Sequence, residues 1–228
     1  MCDLMIKLIV FDLWQTLIPA SIDFVHLHSL LSESEISVPE FISRYEKAVQ
    51  LKKYKNFEEL RKDFLKEFNQ EDNELLESEF YEIYLNRFDK INFYPETKAT
   101  LQKLKKQGYQ LALLSNNEST HAKQIEDKLL FRDYFDFLCY SFEVGAIKPD
   151  KKMFLTVLNK LNVKPNEAIM VGDSLGSDVG GSASVGMHNC LIERKFSDKR
   201  FAPNIKPEFK ITSLDELFKV LSDLNGSK

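Results

Sequence analysis

Asp12, Ser115, Lys148, Asp173 and Asp178 are the side chains of this 228-residue chain whose types and positions could do chemistry together. Each follows a short apolar run. Asp12-Leu-Trp-Gln-Thr16 comes directly after residues 6–11 (IKLIVF), and Ser115-Asn116-Asn117 after residues 110–114. Lys148-Pro-Asp150 lies beyond residues 137–140, and Gly172-Asp-Ser-Leu-Gly-Ser-Asp178 follows residues 168–171. A carboxylate can act as a nucleophile and form an ester or acyl-phosphate, splitting one difficult displacement into two easier ones. A phosphoryl group spreads negative charge over its oxygens and needs cations and donors there, which Lys148, Ser115 and Asn116 would supply. Three carboxylates against one ammonium leave two negative charges. A hard dication such as Mg²⁺, which prefers oxygen ligands, would balance them.

The elements that must position these residues can be read from hydrophobic period. Residues 6–11, 110–114, 137–140, 168–171, 190–192 and 209–211 are short apolar runs, as buried parallel strands are. Helical patterns stand between the later ones. Residues 95–108 put Leu101 and Leu104 on one face and end on Gly108, residues 151–161 follow Pro149, and residues 213–224 open with Ser213 and Glu216 at capping-box spacing. Strands alternating with such helices predict an α/β fold, a doubly wound parallel sheet, whose ligands bind beyond the carboxyl ends of the strands. Residues 19–93 differ, with no convincing strand. Ser37-Val-Pro-Glu40 leads into Phe41, Tyr45 and Ala48/Val49, residues 56–68 carry Phe57, Leu60, Phe64 and Phe68, and a third stripe has Phe80, Tyr84 and Phe88. The expected organisation is therefore an α/β core of residues 1–18 and 94–228 interrupted by a helical insertion at 19–93.

Composition excludes several classes. The net charge of −4, from 31 Lys+Arg and 35 Asp+Glu, gives no basic footprint for nucleic acid. No run of 18 apolar residues predicts a membrane span, and the opening stretch reads as a poor signal peptide. Three scattered cysteines, Cys2, Cys139 and Cys190, argue against a disulfide framework or a zinc cluster. A cytoplasmic protein acting on a small molecule is the expectation, with the oligomeric state open.

The order and wording of these motifs resemble the haloacid dehalogenase superfamily of hydrolases. Asp12 with Thr16-Leu17 matches the family's nucleophile motif, Ser115 in LLSNN its second, Lys148 in VGAIKPD its third, and Asp173 with Asp178 in GDSLGSD its acidic pair. The resemblance covers the whole chain, since the helical insertion falls where the family often places a cap. It implies Asp12 as nucleophile, Ser115, Asn116 and Lys148 as catalytic or substrate-binding groups, and Mg²⁺ held by Asp12, Asp173 and the carbonyl of Trp14. Asp178 would support the metal site or orient Lys148.

Trp14 departs from the pattern. Family phosphatases usually carry at this position a second aspartate, the general acid for the leaving group, and an indole cannot transfer that proton. Such proton transfer is typically worth about 10²–10⁴ in rate. The 2-haloacid dehalogenases are similar here, with an aromatic residue at this position and a cap arginine for which Arg44 and Arg61 are the options. They generally lack the acid that this chain keeps at Asp173. A Mg²⁺-dependent phosphatase, a dehalogenase-like hydrolase and a catalytically weakened binding protein are all compatible with these features. His121, six residues past Ser115, is a possible substitute acid, and Thr16 reads as a structural hydrogen-bonder. His26 and His28 are two apart and so face different sides of a helix.

Overall fold

The computed structural model describes residues 5–20, 22–31, 35–86, 91–194 and 204–226. Strand β1 (Leu8–Phe11) is followed by four helices: α1 (Phe24–Ser29), α2 (Val38–Val49), α3 (Phe57–Glu67) and α4 (Glu74–Asn86). The α/β alternation then resumes with α5 (Thr97–Lys106), β2 (Gln110–Ser115), α6 (Ser119–Leu129), β3 (Phe137–Tyr140), α7 (Ser141–Val144) and α8 (Lys151–Leu161). It ends with β4 (Ala168–Gly172), α9 (Gly181–Ala183), β5 (His188–Ile192), β6 (Phe209–Ile211) and α10 (Leu217–Leu224).

The six strands form one parallel sheet in the order β3-β2-β1-β4-β5-β6. Alternate residues of β1 serve opposite faces, as the two-residue period of a strand requires. Ile9 and Phe11 join a cluster with Leu101 and Leu104 of α5, Ile125 of α6 and Leu217 and Leu221 of α10. Leu8 and Val10 join another with Met153, Phe154 and Val157 of α8. Both faces are thus covered by helices, which explains why the strands read as unbroken apolar runs. The expected doubly wound α/β sheet is present.

Strand and helix limits shift slightly from those expected. Ile6 precedes β1, β2 and β4 each gain a residue at the carboxyl end, and β5 starts at His188. Gly108 closes the turn after α5 at φ 90°, where a side chain would be strained. Between Ser213 and α10 the chain makes a 3₁₀ turn, with the Glu216 carboxylate accepting from the Ser213 amide at 3.0 Å.

The helices after β1 have a core of their own. Phe41 and Tyr45 of α2, Phe57, Leu60 and Phe64 of α3, and Leu76 and Phe80 of α4 are buried together, with Leu27 of α1. The stripes expected at residues 41–49 and 56–68 are the faces that meet. The short α1 has no counterpart in the sequence reading. Of the third stripe, Phe80 and Tyr84 lie on α4, while Phe88 falls outside the described residues, as does Cys2. His26 and His28 take separate partners, Glu79 at 3.2 Å and the Ile36 carbonyl at 2.7 Å. No helix among the described residues is long and apolar enough to cross a membrane.

Candidate active site

Strand β1 sits where the winding reverses, with β2 and β3 on one side and β4, β5 and β6 on the other. Crevices form at the carboxyl ends of strands at such a point. The Asp12 amide still belongs to the sheet, donating to the Val171 carbonyl of β4 at 2.9 Å. Asp12 is only 6% exposed, and its side chain accepts from Lys148 Nζ at 2.5 Å. The same ammonium donates to Asp178 Oδ1 at 2.7 Å. Asp12, Asp173 and Asp178 offer carboxylate oxygens that all lie within 4.8 Å of one another.

Local structure explains each placement. Lys148 is fixed through its backbone by Asn116, whose Oδ1 accepts from the Lys148 amide at 2.8 Å and whose Nδ2 donates to its carbonyl at 3.4 Å. The Asn116 amide is therefore occupied in positioning the lysine. Ser115, fully buried at the end of β2, donates to the Asn116 carbonyl at 3.3 Å. Asp178 rides on a π-helical turn, Leu175–Gly180, in which the Val179 amide reaches back five residues to the Ser174 carbonyl at 3.2 Å. Its second oxygen accepts from the Ser174 amide at 3.0 Å. Both Asp178 oxygens are thus engaged by protein donors, which favours orientation of Lys148 among the roles open to it.

Gly172 makes this fold-back possible. A Cβ there would stand 2.3 Å from Asp178 Cγ, inside any real contact distance. Gly172→Ala should accordingly push Asp178 off Lys148 and destabilise the protein by about 1–3 kcal/mol, the usual cost of overpacking a filled site. Chemical denaturation of the variant checks the figure, and a midpoint equal to wild type would contradict it.

Charge and burial act against each other in this site. Burial raises the Asp12 carboxyl, Lys148 lowers it and the Asp178 charge raises it again, leaving it pushed up to about 7. Burial pulls the Lys148 ammonium down, but Asp12 and Asp178 outweigh it and hold the ammonium above the ordinary lysine range. One cation does not compensate three clustered carboxylates. Ionising Asp12 fully calls for a second one, so the donor set fits a hard dication on chemical grounds.

The remaining predicted residues are spread around this centre. Trp14 is half-buried, packs against the core cluster that includes Phe11, and bridges to Ile18 in a turn where Gln15 takes φ 56°. Thr16 is fully buried, yet its hydroxyl has no hydrogen-bond partner among the described residues, so its expected structural bond is not made by the side chain. His121 is 3% exposed on the first turn of α6, with Nδ1 3.2 Å from Glu118 Oε1 and its ring 3.8 Å from that of Tyr84 on α4. Arg44 pairs with Glu67 and lies over Phe68, while Arg61 pairs with Glu58 and Glu77. Both arginines are engaged within the helical insertion.

Sequence reading missed Gln15, Tyr94, Glu96 and Arg194. The Tyr94 hydroxyl donates to Gln15 Oε1 at 2.9 Å, and burial, with the charges of Asp173 and Glu96, raises it above the ordinary tyrosine range against the opposing effect of Arg194. Arg194 stands two residues beyond β5. Inspecting the carboxyl end of the fifth strand, as of the first four, would have found it.

Comparison with known proteins places the chain in a family. A family model described as haloacid dehalogenase-like hydrolase matches residues 6–186. A glyceraldehyde 3-phosphate phosphatase of Pyrococcus furiosus is 33% identical over 142 residues, 62% of this chain and 59% of that protein. A ribulose-1,5-bisphosphate 5-phosphatase of Halopiger xanaduensis is 31% identical over 140 residues, 59% of each. The chain thus spans about three fifths of the length of these curated relatives. Among solved structures, a HAD phosphatase from Thermococcus onnurineus superposes with a TM-score of 0.65 at 28% identity, covering 95% of this chain and 98% of that one.

Proposed function

The chain belongs to the haloacid dehalogenase-like hydrolases, and on that premise we propose that it is a Mg²⁺-dependent phosphatase of small phosphorylated metabolites, with Asp12 as nucleophile. The observation that carries this reading is the buried Asp12–Lys148–Asp178 contact with Asp173 beside it. Phosphatase relatives at 33% and 31% identity support the substrate class.

In this mechanism an Asp12 oxygen attacks phosphorus, the bond to the leaving oxygen breaks, and water then hydrolyses the aspartyl-phosphate. Lys148 stands against Asp12 and neutralises charge on the phosphoryl oxygens, held in register by Asp178 and by the Asn116 clamp on its backbone. Ser115 and the amides at the start of the following loop bind the same oxygens. Asp12, Asp173 and the Trp14 carbonyl would hold Mg²⁺, with Asp178 in support, and the ion would supply charge neutralisation for the transferring phosphoryl group. The segment at 19–93 acts as a cap that excludes bulk water and selects the substrate, with residues 1–18 and 94–228 as the catalytic core. Nothing in Trp14 can protonate a leaving alkoxide, so the preferred substrates have leaving groups that need little protonation.

Turnover of p-nitrophenyl phosphate with Mg²⁺, lost on chelation and restored by readdition, is the direct test. Trp14→Asp should then raise turnover of an alkyl phosphate by about 10²-fold, because it returns the missing acid. p-Nitrophenyl phosphate, with its good leaving group, should gain far less. No p-nitrophenol release from either protein would overturn the proposal.

A further inference from the structure

Arg194 lies outside the motifs that define the site, yet it touches the turn that carries the nucleophile. Its Nη2 donates to the Thr16 carbonyl at 3.1 Å and to Glu96 Oε1 at 2.6 Å, and its guanidinium carbon stands 4.0 Å from the centre of the Tyr94 ring. Thr16 belongs to the turn on which the chain leaves β1 for the helical insertion. Tyr94 and Glu96 belong to the stretch on which it returns to α5. One guanidinium, 11% exposed, therefore fastens the outgoing and returning segments to each other and to the end of β5.

The turn is supported from within and from outside. Gln15 is held at φ 56°, a left-handed conformation that a side chain adopts only when its surroundings impose it. Those surroundings are the turn's own backbone bonds, from the Gln15 amide to the Ile18 carbonyl at 2.7 Å and from the Leu17 amide to the Leu13 carbonyl at 2.9 Å, together with the returning segment. Tyr94 donates its hydroxyl to Gln15 Oε1 at 2.9 Å and its amide to the Leu17 carbonyl at 3.0 Å, and Thr97 Oγ1 donates to the same carbonyl at 3.2 Å. Arg194 braces this segment by lying over the Tyr94 ring while Nη2 bonds to the Thr16 carbonyl on one side and to Glu96 on the other. The guanidinium is more weakly hydrated than an ammonium, so it can lie on an aromatic face at less cost while its protons stay bonded.

We infer that Arg194 is a positioning residue, which sets the Asp12–Ile18 turn by clamping it to the segment that returns from the insertion. The inference rests on the reading of Asp12 as nucleophile for its catalytic consequence, but its structural content can be measured without turnover. Trp14 is the single tryptophan of the chain and sits on this turn, so its fluorescence reports the turn directly.

The experiment compares wild type with Arg194→Met, Arg194→Lys and Glu96→Ala by Trp14 emission, acrylamide quenching, Mg²⁺ titration and p-nitrophenyl phosphate kinetics. Arg194→Met should move the emission, increase quenching and raise the Mg²⁺ half-saturation by about 10–100-fold, as loss of an outer support typically does. Its kcat should fall by about 10²-fold, the penalty of a small misplacement, with KM held within about threefold. Arg194→Lys should recover part of each change, and Glu96→Ala should show the same spectral shift in smaller measure. If Arg194→Met fails to fold, the other two variants carry the test. Wild-type emission and quenching in folded variants would overturn the inference. So would a kcat loss that only tracks a reduced folded fraction. A spectral response in the variants, with a wild type that hydrolyses no phosphate, would sink the phosphatase reading and leave the clamp standing.

Discussion

Asp12→Asn should lower p-nitrophenyl phosphate turnover by about 10⁴-fold or more, because removal of a covalent nucleophile collapses the catalytic unit as a whole. The amide keeps the shape of the carboxylate and removes only the attacking charge. The same substitution should not lower Tm in metal-free protein. Asp12 is buried beside Asp178, and its carboxyl is pushed up to about 7, so the folded state already resists its ionisation. A carboxyl raised in this way contributes most to stability below its unfolded value near 4 and loses that contribution as pH climbs through about 7. The asparagine has no proton to lose. Its Tm advantage over wild type should therefore widen from pH 5 to pH 8 in EDTA and narrow again when Mg²⁺ is added. Residual turnover within tenfold of wild type would rule Asp12 out as the nucleophile.

Lys148→Met should produce the largest loss of stability available in the site. The ammonium is 3% exposed and is the common partner of Asp12 at 2.5 Å and Asp178 at 2.7 Å. Deleting it leaves two buried carboxylates without that cation, and breaking a buried pair from one side typically costs about 3–5 kcal/mol. The same loss sets the sign of the pH dependence. Without Lys148 the Asp12 carboxyl rises further, so the folded variant takes up a proton more readily than wild type. Its deficit should be largest near pH 8, shrink towards pH 5, and shrink at constant pH on addition of Mg²⁺. Urea denaturation at the two pH values, with and without Mg²⁺, measures all three. A deficit independent of pH would mean that the lysine acts by packing alone. Catalysis should fall with it, since the methionine offers nothing to a phosphoryl oxygen.

Much of the sheet was legible because β1, β2 and β4 are covered on both faces. Burial on both sides forces an unbroken apolar run, and such a run ends where the chain reaches polar work, at Asp12, Ser115 and Asp173. The stripe at Phe57, Leu60 and Phe64 was legible for a similar reason, because a helix that buries one face must repeat at its own period. The six-residue α1 was not. It buries only Leu27, too little to leave a pattern. Asn116 reads in sequence as a substrate contact, whereas its bonds to the backbone of Lys148, 32 residues away, have no sequence signal, because backbone groups carry none. Arg194 is marked in sequence only by its place two residues past β5, and its role is not. Its contact is a carbonyl 178 residues earlier, and in sequence it is one more charge beside Glu193. Side chains that act on the substrate are marked by type and by the strands before them, whereas those that hold the backbone are marked only by where it goes.

The position of β1 also has a consequence for how the chain is made. Leu8 pairs with Gln110 on one side and with Ala168 on the other, so the central strand leaves the ribosome about 100 residues before its first partner. At typical synthesis rates of about 5–20 residues per second, that is a wait of roughly 5–20 seconds for an apolar strand with both edges open. The helices of residues 24–86 bury their own cluster from neighbours near in sequence and can condense during that interval. The helices can thus pack while Leu8–Phe11 is still an unclaimed template. Crowded synthesis favours wrong pairings at that stage, before the chemistry of the site exists.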